Sequence, residues 1–494
     1  MKKIIAIISA MMLTVACGNE KFGIENNSDV QDTDSILGFD ITINMADDAD
    51  TKAYAKTAFA NNDVVYIFFS VVGAPKYLEA KYNSSTQKWD FTPKNGLTSA
   101  NLESAYSKKM TAIYMPYGSN LTVLASDNKY VFDDTYTGYV LRAEQVDYTI
   151  SSGVLSGTIN LGYSGYYIQF DVTGFVNGHE YEMYQENIQP SVINYIDNTG
   201  KMFFSSHSYG SAVKGYADGE HLTFCGMLSS TALSHKVDYQ FTIVDRTAGI
   251  IYYRDAGQKT LSSRKYIGLG SIADDSKWSA TEFVDLSLPS GTLWAKCNLG
   301  ADTETNYGDY YAWGETTPYY EEGYATSTQQ VQWRSGKTTG YTWNSYSFNP
   351  SHDGTTFTKY TGSDYSVLES EDDAATVNIA GGLWRMPTIE EFNELVDDNN
   401  CTWVMKTGYN GTGTNGYLVT SKSNGASIFL PFAGYRQDLS LTRAGGYGAY
   451  WSSTYSAGTT YYAGNLFFNS TSHGASYGYM RRTGLPIRPV CVLP

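Results

Sequence analysis

Gly381–Val404 reads G-G-L-W-R-M-P-T-I-E-E-F-N-E-L-V-D-D-N-N-C-T-W-V, and it holds the clearest helix signal in a chain that otherwise looks β. Thr388 stands where an N-cap hydroxyl is needed, and Glu391, three residues on, completes a capping box. Glu390 and Glu391 put negative charge at the positive end of the helix dipole. Phe392, Leu395 and Val396 recur at helical spacing and give one apolar stripe. Asp397–Asn400 is turn chemistry and stops the helix. An amphipathic helix this short is stable only when docked, so a β-framework must surround it.

Composition points the same way. A chain of 494 residues exceeds one ordinary domain. The net charge of −16 disfavours binding to nucleic acid or to an anionic membrane surface. Charged residues are only 17 %, while 43 Tyr dominate the 15 % of aromatics beside 47 Gly. That profile suits β-sandwiches faced with Tyr, Ser, Thr and Asn. Strand propensity accounts for most of the Tyr; a binding surface is the reading only where Tyr clusters in loops.

The helix stretch also carries a resemblance. W-R-M-P-T-I-E-E-F resembles the helix start of the formylglycine-generating-enzyme-like branch of C-type lectin-like folds. Over Phe283–Pro489 the chain resembles the major paralogous domain family named after Fibrobacter succinogenes. The matching blocks are Val284–Ala301, Tyr307–Thr316, Glu371–Asn378, Ile428–Arg436, Tyr450–Thr454 and Ile487–Val490. The resemblance implies an α+β C-type lectin-like domain over 281–494.

Towards the N-terminus, Met1–Ala16 reads as an export signal: Lys2 and Lys3, an apolar run from Ile4 to Val15, then Ala16. It is too short to span a membrane as a helix. Leu13–Cys17 resembles a lipoprotein signal in which Cys17 becomes the acylated first residue, although Thr14 departs from the usual Leu. The other reading is a secretory signal with an incidental Cys. Acyl chains such as palmitate contribute about 0.8 kcal/mol per buried methylene and would anchor a lipoprotein in the outer membrane. Residues 17–36 are polar, acidic and without periodicity, and read as a flexible tether.

Alternating and apolar runs follow. Phe39–Ile43 alternates like an edge strand, and Val64–Val72 is nearly continuous, like a central one. Tyr77–Phe91 reads as a hairpin through Asn83-Ser84-Ser85, and Met110–Tyr117 as a further strand. Thr51-Lys52-Ala53, Asn62–Ile67 and Ala112–Tyr117 resemble the N-terminal half of fimbrillin-like pilins of Bacteroides-type bacteria. The organisation expected is mainly β: two fimbrillin-like β-sandwich domains, 37–153 and 154–272, a polar linker over Gly270–Ala280, then the lectin-like domain.

Five cysteines are present. Cys297, Cys401 and Cys491 share the C-terminal region, so at least one is free or intermolecular. The lectin-like resemblance brings first and last strands together and so favours Cys297 with Cys491; Cys297 with Cys401 stays open. None stands in a C-x-x-C pair, which argues against zinc.

No catalytic constellation is visible. The six His are scattered, without H-E-x-x-H, and the active-site cysteine motif of the formylglycine-generating relatives does not occur. The expectation is a protein that is not an enzyme and takes no cofactor. Glu369, Glu371, Asp372 and Asp373 could hold calcium, but their spacing matches no loop motif, and an acidic helix start before Ala374 is the favoured reading.

The candidate ligand-binding residues lie within Arg436–Tyr479. They are Arg436, Tyr455, Thr459, Thr460, Tyr461, Asn469, His473, Ser476, Tyr477 and Tyr479. Tyr, Ser and Asn are the residues of adaptable paratopes. The resemblance implies that this segment lines the ligand face, and related domains are targets of diversity-generating retroelements. The alternative is ordinary solvated loops.

Together these imply a cell-surface adhesin, at a pilus tip or on a lipoprotein stalk. Its partners would be fimbrial subunits joined by strand addition, a protein or carbohydrate ligand, and the membrane through its lipid. In such fibres one subunit's C-terminal strand completes the next one's sheet. Here the last strand should pair internally, so the subunit would end a fibre. The alternatives are a monomeric glycan-binding lipoprotein for nutrient capture and, third, an enzyme on the formylglycine-generating scaffold.

Overall fold

The computed structural model describes residues 35–45, 58–71, 76–115, 123–126, 129–132, 141–162, 167–190, 193–197, 200–204, 207–260, 265–321, 332–362, 366–456 and 458–493. The expected export signal, Cys17 and nearly all of the tether lie outside these residues. The architecture is mainly β, in several sheets.

The first core forms around Val64–Phe69, hydrogen-bonded to Tyr77–Asn83 on one side and Lys109–Met115 on the other. Its side chains are buried on both faces, as a continuous apolar run requires. The hairpin Tyr77–Asn83/Lys88–Pro93 is closed by Asn83, whose side-chain Oδ1 accepts from the amides of Ser85 and Thr86. Gly38–Met45 is an edge strand, parallel to Val154–Leu161.

That last pairing corrects the expected boundary at 153/154. Leu155, Ile159 and Leu161 pack with Ile41 and Val65 in the first core, and the strand that carries them belongs to the first sheet. Ser152 (φ 50°) and Gly153 (φ 75°) form the two-residue turn of a hairpin with Arg142–Ser151. A cut there would sever the two arms of that hairpin.

A second core runs from Ile168 to Trp278, where Phe170 and Phe241 meet at 5.0 Å. Val213–Asp218 pairs with Tyr181–Tyr184 through its first residues and with His221–Leu228 through its last, joining two layers. The expected linker is structured instead. Trp278 is buried in the second core, and Ser279–Asp285 pairs with Ile250–Lys259 and then with Leu293–Ala295. One sheet therefore continues into the C-terminal part. Across this seam Tyr184, Val244 and Ile251 pack with Phe283, Leu293, Trp384 and Cys491.

In the C-terminal part the helix Ile389–Val396 forms as expected, with both capping-box bonds present at Thr388 and Glu391. Its Phe392 and Leu395 enter a core with Trp294, Tyr450, Leu466 and Phe468. The helix lies against the sheet Tyr447–Tyr455, Tyr462–Asn469, His473–Met480. The third of these strands carries His473, Ser476, Tyr477 and Tyr479, for which ordinary solvated loops were the alternative reading. The sequence suggests a closing strand over Leu485–Val492; the strand formed is Val490–Cys491, paired on both edges, by Leu293–Ala295 and by Trp384–Arg385.

Candidate ligand-binding face

The blocks that carry the lectin-like resemblance converge in one hydrogen-bonded framework. Arg385 donates to both oxygens of Glu391, at 2.8 and 2.5 Å, and Thr292 donates to the same carboxylate at 2.7 Å. Asp373 caps the helix Ala374–Asn378 and also accepts from the Met386 amide at 2.9 Å. The indole N–H of Trp451 donates to the Tyr311 carbonyl at 2.7 Å, and that of Trp313 to the Ser452 carbonyl at 2.8 Å. Arg488, fully buried, donates to Asn298 Oδ1 and to the carbonyls of Ala295, Lys296 and Phe429. These residues are engaged in holding strands together.

The ten candidate ligand residues do not share one surface. Arg436 is 1 % exposed, with its guanidinium 4.8 Å from the Tyr320 ring and 5.3 Å from that of Tyr310. Tyr455 is buried against the guanidinium of Arg481, 5.0 Å away. Both are corrected to interior positions: cation–π contact lets a cation and a phenol sit among aromatic rings. Asn469 closes a turn by accepting from the amides of Thr471 and Ser472. Tyr479 packs at 5.3 Å from Tyr435, and burial raises its phenol pKa well above the usual range.

The rest reach solvent. Thr459, Thr460 and Tyr461 lie half-buried in one connection, with the Tyr461 ring 4.4 Å from Tyr462. His473, Ser476 and Tyr477 lie on the edge strand His473–Met480, and Tyr477 is 43 % exposed. The His473 ring stacks on Trp403 at 4.4 Å and 6°. Burial lowers the His473 pKa, opposed by Asp398. Sequence reading had not drawn Trp403 into this face, because strand Cys401–Lys406 is distant in the chain from His473.

The acidic cluster divides into two parts, three acids gathered on one lysine and one helix cap. Lys359 places its ammonium between Glu369, Glu371 and Asp372, within 2.5 Å of the last. Asp373 turns away to its capping role.

The expected Cys297–Cys491 bridge is not formed: Cys225, Cys297, Cys401 and Cys491 are all free. The strands meet as anticipated, but in this register Cys491 lies opposite Leu293 rather than Cys297. Cys297 is half-buried along a cleft of about 510 Å³ at the seam, and burial raises its thiol pKa.

No protein-family profile matches the chain, and no curated protein does. Among solved structures, a protein provisionally described as a cell adhesion protein of Bacteroides uniformis aligns at 12 % identity, over 46 % of this chain and 92 % of its own, with a TM-score of 0.26. A fimbrial protein of Bacteroides ovatus aligns at 11 % identity over 93 % and 99 %, with a TM-score of 0.21. The fimbrial anchor protein Mfa2 of Porphyromonas gingivalis aligns at 10 % identity over 52 % and 96 %, with a TM-score of 0.19. At TM-scores this low the likenesses say nothing of what this chain binds.

Proposed function

We propose that this chain is a cell-surface adhesin whose C-terminal part binds a protein or carbohydrate ligand, and that it ends a fibre of fimbrial subunits. One observation carries the fibre-end reading. Val490–Cys491 is hydrogen-bonded on both edges, so this strand is committed internally. A strand held this way is not free to complete a neighbour's sheet. The ligand reading is supported by the exposed Tyr477 and the half-buried Thr459, Thr460, Tyr461, His473 and Ser476. These side chains combine apolar rings with small hydrogen-bonding groups. Acylation at Cys17 would attach the chain to the outer membrane, and two fimbrillin-like sandwiches would form its base.

Immunogold labelling of intact cells tests the position. Label confined to fibre ends supports it, and label along the whole shaft contradicts it. Recovery of the chain alone, with no fimbrial subunit co-purifying, would favour the monomeric glycan-binding lipoprotein.

A further inference from the structure

We propose that a separate cleft of the C-terminal part, between Gly314–Thr317, Lys337, Ser347–Phe348 and Glu371–Asp372, binds one neutral or amino sugar residue of a glycan. The proposal rests on the binding reading above and deepens it by naming a ligand class and a second contact. The cleft encloses about 250 Å³, room for one sugar ring rather than an oligosaccharide.

Its walls match the two sides of a pyranose. Phe348 is half-buried, braced by Tyr346 at 5.8 Å and Tyr360 at 6.0 Å. It lies close over Gly314, where an added Cβ would stand 2.9 Å from the ring. A braced aromatic ring suits the C–H face of a sugar. The polar wall offers acceptors. Glu315, 8 % exposed, accepts from Lys337 at 3.1 Å and from the Ser347 amide at 2.7 Å, and a carboxylate has lone pairs to spare. Asp372 uses Oδ2 for Lys359 and Tyr360, at 2.5 and 2.6 Å, which leaves Oδ1 for a ligand. The Thr316 and Thr317 hydroxyls have no partner among the described residues.

The one charged donor in the lining is already committed. The Lys337 ammonium is spent on Glu315, Ser345 and Ser347. A ligand here must therefore bring donors, as hydroxyls or an ammonium do. Acids outnumber lysines in the lining, so a uronic or other acidic sugar meets like charge.

The test titrates the full chain with methyl galactoside, glucosamine and glucuronic acid, followed by saturation-transfer NMR. The exposed Thr317→Trp fills the cleft from its rim, and Asp372→Asn removes an acceptor charge while Lys359 keeps Glu369 and Glu371. Near-UV circular dichroism establishes that each variant is folded. The expected result is binding of the neutral or amino sugar, weakened at least about tenfold by both variants, with no binding of glucuronic acid. Unchanged sugar binding in folded Thr317→Trp, preference for glucuronic acid, or no sugar binding by a chain that still adheres to cells would each overturn the cleft and leave the adhesin reading standing. A chain that binds neither sugars nor cells would overturn both.

Discussion

Arg385 and Glu391 form a bidentate ion pair, six residues apart, that joins the strand Trp384–Arg385 to the helix it precedes. The same Glu391 carboxylate accepts from the Thr388 amide at the helix start and from Thr292. One carboxylate thus ties cap, strand and helix together, which is the physical content of the W-R-M-P-T-I-E-E sequence.

Arg385→Met should destabilise the chain by about 2 kcal/mol, below the ~3–5 kcal/mol of a wholly buried pair because Arg385 is partly solvated. Burial alone would raise the Glu391 pKa, but Arg385 and the Thr388 amide outweigh it and hold it low. A depressed acid contributes stability above its unfolded pKa, about 4.3, and loses it as pH falls through the folded value. Urea unfolding at neutral and acid pH should show the difference between parent and variant shrinking on acidification.

His473 has the opposite chemistry and the same direction. Its pKa is lowered by burial against Trp403. The folded state favours the neutral ring, so this contribution is present above about pH 6.5 and is lost as pH falls towards the folded pKa. An NMR titration should place the His473 midpoint below that of a free histidine. His473→Phe should remove this part of the pH dependence.

The thiols give a chemical check. Denatured protein should expose Cys225, Cys297, Cys401 and Cys491 to a thiol reagent without prior reduction. Of these four, only Cys297 should react in the native protein, and slowly, because burial raises its pKa and lowers its thiolate fraction. A reduction-dependent gain of thiols would contradict the free cysteines.

Phe392→Ala should cost about 3–5 kcal/mol, since the ring is fully buried beside Trp294 and its loss leaves a cavity. Arg488→Met should be of similar severity. It strands the carbonyls of Ala295, Lys296 and Phe429, each at about 1–3 kcal/mol if left unpaired. Thermal unfolding measures both.

What was legible in the sequence is what is decided locally. The Thr388 capping box and the Phe392/Leu395 stripe need only their own neighbours, and so do the Asn83 turn and the two-faced run Val64–Phe69. The Ser152-Gly153 turn is equally local, and its hairpin is what places Val154–Leu161 in the first sheet. Strand His473–Met480 was not legible. Its Gly474, Ser476 and Gly478 favour loop, and it is held by pairing to Tyr462–Asn469 and by the helix packed against its sheet. Nor could Arg436 and Tyr455 be told from surface residues, because their burial depends on Tyr320 and Arg481, brought in from elsewhere. Long-range pairing, which the chain encodes only weakly, separated the face as expected from the face as built.

The decisive measurement is adherence of the full chain to host and microbial cells and to a glycan panel, beside a folded Tyr461→Ala, His473→Ala, Tyr477→Ala variant. Binding by the parent and its loss in the variant is the predicted result, with Arg436→Lys and Tyr455→Phe acting on stability instead. A parent that binds nothing, or a variant that adheres as the parent does, would contradict the adhesin face.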